Sequence, residues 1–208
     1  GALGAQLVEV IGADPDGINI NVDCGSTHLD ALAGAVTRTG ADVGLAFDGD
    51  GDRVLAIDHA GNHVDGDQIL AILALRLKGR GELDGGAVVT TTMTNLGFRT
   101  AMRAEGIEVR WTDVGDRYVL EEMRSGGFVI GGEQSGHLIN LRSGPTGDGL
   151  AAGLQLLHAV VEAGRPLAEL AGVVQRLPQK LVSFPVGDKD GLPHADEVWQ
   201  AVAECERV

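Results

Sequence analysis

Short apolar runs alternate along this chain with longer stretches whose apolar positions recur at helical spacing. QLVEVIG (6–12), ADVGLAF (41–47) and RVLAID (53–58) read as strands, and HLDALAGAVTRTG (28–40) reads as a helix stopped by Gly40. DGDQILAILALRLKGRG is apolar nearly all round, which predicts a buried helix with Asp67 as its N-cap candidate. The alternation then continues: AVVTTTM strand, LGFRTAMRAEG helix, IEVRWT strand, DRYVLEEMRSGG helix, FVIGG strand, GDGLAAGLQLLHAVVEAG helix. Strands and helices in turn indicate βαβ units, hence an α/β fold with mixed, mainly parallel sheets flanked by helices. GNHVDGD (61–67) and the Pro- and Gly-rich LPQKLVSFPVGDKDGLP (177–193) are candidate domain boundaries. They divide the chain into residues 1–65, 66–177 and 178–208. No internal repeat and no low-complexity tract is visible.

Between the second and third predicted strands lies AFDGDGDRVLAID, with Asp48, Asp50 and Asp52 at every second position and Arg53 next to them. In extended backbone such residues point the same way, so the three carboxylates converge on one point. Glycine spacers let the chain fold tightly round it. Hard oxygen ligands of this kind suit Mg²⁺ or Ca²⁺ rather than zinc. An EF-hand does not fit: its sixth position requires glycine and holds Arg53, and its twelfth requires glutamate and holds His59. A solvated acidic turn accounts for a lone Asp-x-Asp. Three aspartates between two apolar strands favour a cation, and Arg53 beside them suits a phosphate ligand.

Further along, GGEQSGH presents Glu133, Gln134, Ser135 and His137 after a strand, a density of donors and acceptors fitted to a polyhydroxy ligand, although a polar turn with a capping serine explains the same local sequence. In TDVGDRYVLEEM, Gly115, Asp116 and Arg117 stand at a strand-to-helix junction. Asp116 is by default a helix cap, whereas Arg117 opposes the helix dipole and points to an anion. Ser26 and Thr27 in NINVDCGSTHLD precede a helix, where phosphate binding and simple capping are equally good explanations.

Composition narrows the field. The 208 residues are 44% hydrophobic, enough for one large domain or two small ones. Thirty acidic against sixteen basic residues give a formal charge of −14, which argues against nucleic acid as a partner. Cys24 and Cys205 are far apart without CxxC spacing, so a reducing compartment is expected. No apolar run approaches the roughly 20 residues that span a bilayer, and GALGAQLVEV has no signal-peptide pattern. The expectation is a soluble, cytoplasmic protein with no membrane partner; its oligomeric state is not legible.

GLAFDGDGDR, VGDRYVLEEM, GGEQSGH and NIN-x-x-CGSTH, in this order and spacing, resemble the α-D-phosphohexomutase superfamily, and within it the glucosamine branch, the phosphoglucosamine mutases. The resemblance runs from about residue 1 to about residue 185 and implies consecutive α/β domains: part of the second up to residue 65, the third over 66–177, then a linker and the start of the fourth. It implies interconversion of glucosamine 6-phosphate and glucosamine 1-phosphate through an enzyme phosphoserine and a bis-phosphate intermediate. By motif match, Asp48, Asp50 and Asp52 would hold Mg²⁺ as cofactor and Arg53 would neutralise the transferring phosphoryl group. Gly115, Asp116, Arg117, Glu133, Ser135 and His137 would bind the amino-sugar phosphate. The Thr-Ala-Ser-His-Asn serine loop and the Arg-Pro-Ser-Gly-Thr-Glu-Pro phosphate loop of that superfamily are not in this sequence, so a central fragment, inactive by itself, is expected. Mutases for mannose or glucose phosphates, and a non-catalytic Mg²⁺- or Ca²⁺-binding domain, are the alternatives.

Overall fold

The computed structural model describes residues 4–182, 185–187 and 190–205. The chain forms two compact units, Gly1–Leu177 and Pro178–Val208. The first begins with an irregular segment. Helix α1 (Asp30–Thr39) follows, ended by Gly40 in the left-handed conformation. Strands β1 (Val43–Phe47), β2 (Val54–Asp58) and β3 (His63–Val64) come next, then helix α2 (Gly66–Gly79). The order continues β4 (Ala87–Thr91), α3 (Leu96–Ala104), β5 (Glu108–Thr112), α4 (Asp116–Gly126), β6 (Ile130–Gly132), β7 (Leu138–Asn140), α5 (Gly149–Ala163) and α6 (Leu167–Ala171).

Parallel pairing is confined to one of the two sheets. β1-β2-β3 is antiparallel throughout, with Phe47 opposite Val54, because the six residues between them can close a hairpin but cannot make a crossover. The second sheet runs β5-β4-β6-β7; β4 is parallel to β5 and β6, and β7 turns back antiparallel to β6. β4 sits in its centre with all five residues buried, as a parallel strand covered on both faces requires.

α2 and α5 join the two sheets. α2 is buried from Gly66 to Ala74 and packs on β6, α3, α5 and α6, while α5 lies on α2, β1, β2 and β7. One continuous apolar core therefore holds Val54, Ala56 and Val64 of the first sheet with Val88 and Ile130 of the second. That core runs across residues 61–67, which is why the first unit reaches from one sheet to the other.

Two expectations are corrected. QLVEVIG forms no strand: Leu7, Val8 and Val10 are 79%, 55% and 62% exposed, and no neighbouring strand in the described residues offers it a ladder. The cap of α2 is Asp65, not Asp67. The Asp65 carboxylate accepts from the Gln68 N–H at 3.0 Å while the Gln68 side chain accepts from the Asp65 N–H at 3.2 Å, a reciprocal capping box. Asp67 lies two residues beyond the cap, inside the first turn, and is buried.

The second unit contains helix α7 (Asp196–Cys205), preceded by a short 3₁₀ turn whose Leu192 carbonyl accepts from the Trp199 indole at 2.9 Å. The segment expected to lead into a fourth domain includes Ser183 and Phe184, which lie outside the described residues.

Because Asp65 both caps α2 and meets Arg176 at 3.0 Å, Asp65→Ala is expected to destabilise the first unit by about 1–2 kcal/mol. Urea unfolding followed by circular dichroism measures it. An unchanged midpoint would contradict the cap assignment.

Candidate metal and sugar site

The aspartate loop is the tip of the β1–β2 hairpin. Phe47 and Val54 are paired, so the residues between them have to turn, and Gly51 at φ +75° makes the turn with its N–H on the Asp48 carbonyl at 3.2 Å. Convergence thus comes from a turn rather than from the extended alternation expected. One carboxylate oxygen each from Asp48, Asp50 and Asp52 lie within 4.8 Å of one another. Arg53 lies beside them, its Nε 3.8 Å from Asp48 Oδ2 and 3.7 Å from Asp52 Oδ1, with 44% of the side chain still exposed.

Electrostatics splits the cluster. Burial works to raise the Asp48 carboxyl, but hydrogen bonds from the Arg53 N–H and from its aspartate neighbours outweigh it and hold Asp48 below its ordinary value. Burial, the contact with Asp48 and the nearby negative charges push Asp52 up, against the pull of His137. Asp52 Oδ1 is buried without a hydrogen-bond partner. An all-oxygen donor set, one orphaned oxygen and mutual repulsion are what a hard cation relieves, so the residues fit a metal ion.

The GGEQSGH loop is built against this tip. Leaving β6, its Gly136 carbonyl accepts from the Val54 N–H at 3.1 Å, and Arg53 and His137 form an isolated antiparallel bridge. His137 is 4% exposed, and its Nδ1 lies 3.0 Å from Asp52 Oδ2, so with an ionised acceptor Nδ1 carries the proton. Gly149, the first residue of α5, presses on the same place. Its N–H donates to the Gly51 carbonyl at 2.9 Å, and a Cβ there would stand 2.3 Å from the Arg53 carbonyl oxygen.

On its other side the loop meets β5 and α4. The carboxyl-terminal ends of β4, β5 and β6 share one sheet edge, the usual ligand edge of such sheets. There the Gly115 N–H donates to Glu133 Oε1 at 3.2 Å. Gly115, Glu133, His137, Arg53 and the three aspartates are therefore brought into one connected group. Arg117 is not tied into it: its guanidinium pairs with Glu121 at 2.9 Å on the exposed face of α4, over the Tyr118 ring. Asp116 does not cap α4. The N-cap is Gly115, and the Asp116 carboxylate accepts from its neighbour Arg117 N–H at 2.8 Å. Ser135 sits exposed at the loop tip. Of the NINVDCGSTH candidates, the Ser26 N–H donates to the Phe47 carbonyl at 3.0 Å, bracing the start of the aspartate loop, and the Thr27 hydroxyl meets His28 at 3.0 Å.

Sequence reading missed Asp67, whose signal as a polar residue in an apolar helix was taken for a cap. Its Oδ2 accepts from the Asn95 N–H at 2.8 Å and from Gln134 Nε2 at 3.3 Å. Burial first, and the neighbouring Asp65 charge, push its carboxyl from 3.8 to about 6, against the pull of Asn95, Thr94 and Arg176.

The fold and this group define a class: an α/β protein carrying a three-aspartate loop, suited to a hard cation, next to a polar loop at a sheet's ligand edge. Residues 65–177 match the family described as phosphoglucomutase/phosphomannomutase, alpha/beta/alpha domain III, and the chain belongs to that family. It is 57% identical over 204 residues to the phosphoglucosamine mutase of Streptomyces griseus subsp. griseus and 56% identical over 204 residues to that of Streptomyces coelicolor, each alignment covering 98% of this chain and 45% of the relative. The chain thus spans less than half the length of the curated relatives it matches. Among solved structures, a phosphoglucomutase/phosphomannomutase family protein from Burkholderia thailandensis superposes with a TM-score of 0.65 at 27% identity, over 77% of this chain and 34% of that one. No helix in the described residues is long and apolar enough to cross a membrane.

The raised Asp67 carboxyl has a stability consequence with a definite sign. Between pH about 4 and about 6 the unfolded chain releases this proton while the folded chain keeps it, so stability falls as pH rises, then stays level above about 6. The expected span is about 2–3 kcal/mol. Urea unfolding of Asp67→Asn and of the unaltered chain at pH 4.5 and pH 7 should show the difference moving in favour of the variant at the higher pH. A pH-independent difference would contradict the assignment.

Proposed function

We propose that this chain carries the metal-binding and sugar-binding loops of a cytoplasmic phosphoglucosamine mutase, which interconverts glucosamine 6-phosphate and glucosamine 1-phosphate. The observation that carries the reading is the seam between the two loops: Asp52 against His137, and Arg53 bridged to His137. A purely structural acidic turn has no need of a buried histidine fixing one of its carboxylates. Similarity to the two Streptomyces phosphoglucosamine mutases supports glucosamine over mannose or glucose as the sugar. The domain reading follows: residues 1–65 hold the metal loop, 66–177 hold the sugar loop, and 178–208 lead into a further domain.

Within this reading Asp48, Asp50 and Asp52 hold Mg²⁺, which when bound supplies positive charge against a transferring phosphoryl group. The chain's own contributions are positional. Asp52, fixed by His137, keeps its carboxylate towards Asp48, and the half-exposed Arg53 guanidinium offers a second cation to the same phosphoryl oxygens. Glu133, oriented by the Gly115 N–H, and Ser135 at the loop tip meet sugar hydroxyls, and Asp116 and Arg117 follow Gly115 as the first residues of α4. His137 links the two loops, so a sugar held by one is set in register with the phosphoryl group held by the other.

Titration calorimetry of the 208-residue chain with Mg²⁺ should give weak binding, lost in Asp50→Ala; an affinity unchanged in that variant would remove the metal site. Asp50 is the exposed member of the three, so its loss leaves the hairpin intact. In an enzyme of the relatives' full length that carries this segment, Asp50→Ala is expected to lower kcat by about a hundredfold or more. Glu133→Ala is expected chiefly to raise KM for glucosamine 6-phosphate, by about tenfold. Steady-state kinetics with a coupled assay separates the two. Equal effects on kcat and KM in both variants would contradict the division of roles.

A further inference from the structure

Beneath the 133–137 loop the chain buries a carboxylate that the proposed chemistry does not use. Asp67 is 1% exposed, at the second residue of α2. Immediately before it Gly66 donates its N–H to the Gln134 carbonyl at 3.0 Å, and a Cβ on Gly66 would stand 2.2 Å from the Glu133 carbonyl oxygen. The loop backbone therefore rests directly on the first turn of α2, where free N–H groups point outward. Asp67 then grips the loop from the side-chain direction, since the same Oδ2 accepts from Gln134 and from the Asn95 N–H. Asn95 is itself anchored: its Oδ1 caps α3 through the Gly97 N–H at 2.9 Å and accepts from the Leu177 N–H at 2.9 Å.

We propose that Asp67 is a positioning residue for the 133–137 loop, tying Gln134 to the start of α3 so that Glu133 and Ser135 are held ready for the sugar. The proposal rests on the sugar-site reading of that loop. A buried carboxylate costs stability where an apolar residue would not, and its gain here is one oxygen that takes two donors from two different loops. One donor belongs to the loop after β4 and the other to the loop after β6, two of the three loops at the ligand edge. Asp67 thus fixes the separation of those two loops and, through Gln134, the seat of the 133–137 loop.

Amide hydrogen exchange by NMR on the 208-residue chain tests the positioning role. In Asp67→Ala, protection of the Gly66 and Val54 amides, which donate to the loop at Gln134 and Gly136, should fall about tenfold, the loss of roughly one hydrogen bond. Val88 in the centre of the second sheet serves as the reference. Asp67→Asn, which keeps an acceptor oxygen, should restore protection to within about twofold. Gln134→Leu, altering only the loop side, should reproduce the loss even if Asp67→Ala fails to fold. Unchanged protection in Gln134→Leu, or Asp67→Asn as loose as Asp67→Ala, would overturn the proposal. Calorimetric affinity for glucosamine 6-phosphate should follow the same order of variants. If the unaltered chain binds none while the exchange pattern holds, the sugar reading fails and the positioning role of Asp67 stands.

Discussion

Everything near the candidate site depends on how closely one loop approaches the backbone of three elements. Residues 133–137 accept from the Gly66 N–H of α2 and from the Val54 N–H of β2, and Glu133 accepts from the Gly115 N–H before α4. Where the loop meets α2 the contact is backbone against backbone, so close that no Cβ fits at Gly66. Gly149 is as tight where α5 meets the aspartate loop, its Cβ position 2.3 Å from the Arg53 carbonyl oxygen, as Gly66 is beneath the 133–137 loop. A methyl group at either position would force the two loops off their supports and separate the carboxylates from the polar loop.

The packing of α2 and α5 serves the same end. Both helices are apolar on most faces and are sandwiched between the antiparallel hairpin sheet and the mixed sheet, so the two sheets share one core. A hairpin alone is marginally stable in water, and one with three aspartates at its tip carries an added repulsion. Seated on α5 and bridged to His137, the tip is held in shape before any cation arrives, which reduces the ordering that binding would otherwise require.

Burial distributes the acidic groups into different roles. Asp65 caps a helix and meets Arg176; Asp67, two residues on, loses water and gains two neutral donors, and its carboxyl rises. Asp48 and Asp52 diverge in opposite directions although they are four residues apart, because the Arg53 N–H reaches one and burial dominates the other. Local sequence says only that all of these are acids.

The periodicity of apolar residues determined the α/β class, the buried character of α2 and the extents of most helices to within a few residues, because those follow from local spacing and from which faces must leave water. The same sequence marked the aspartate loop and GGEQSGH, whose residue types are costly unless something binds them. It misjudged QLVEVIG, since a strand needs a partner and local pattern does not say whether one is present. It also misplaced the cap of α2 and expected Arg117 to face the site, whereas Glu121 one turn along competes for its guanidinium. Only the tertiary structure decided that β1 and β2 make a hairpin, that His137 touches Asp52 across 85 positions of sequence, and that Asp67 joins two loops. These are contacts between segments distant in the chain, set by how the helices and sheets pack, and local spacing along the chain carries no measure of them.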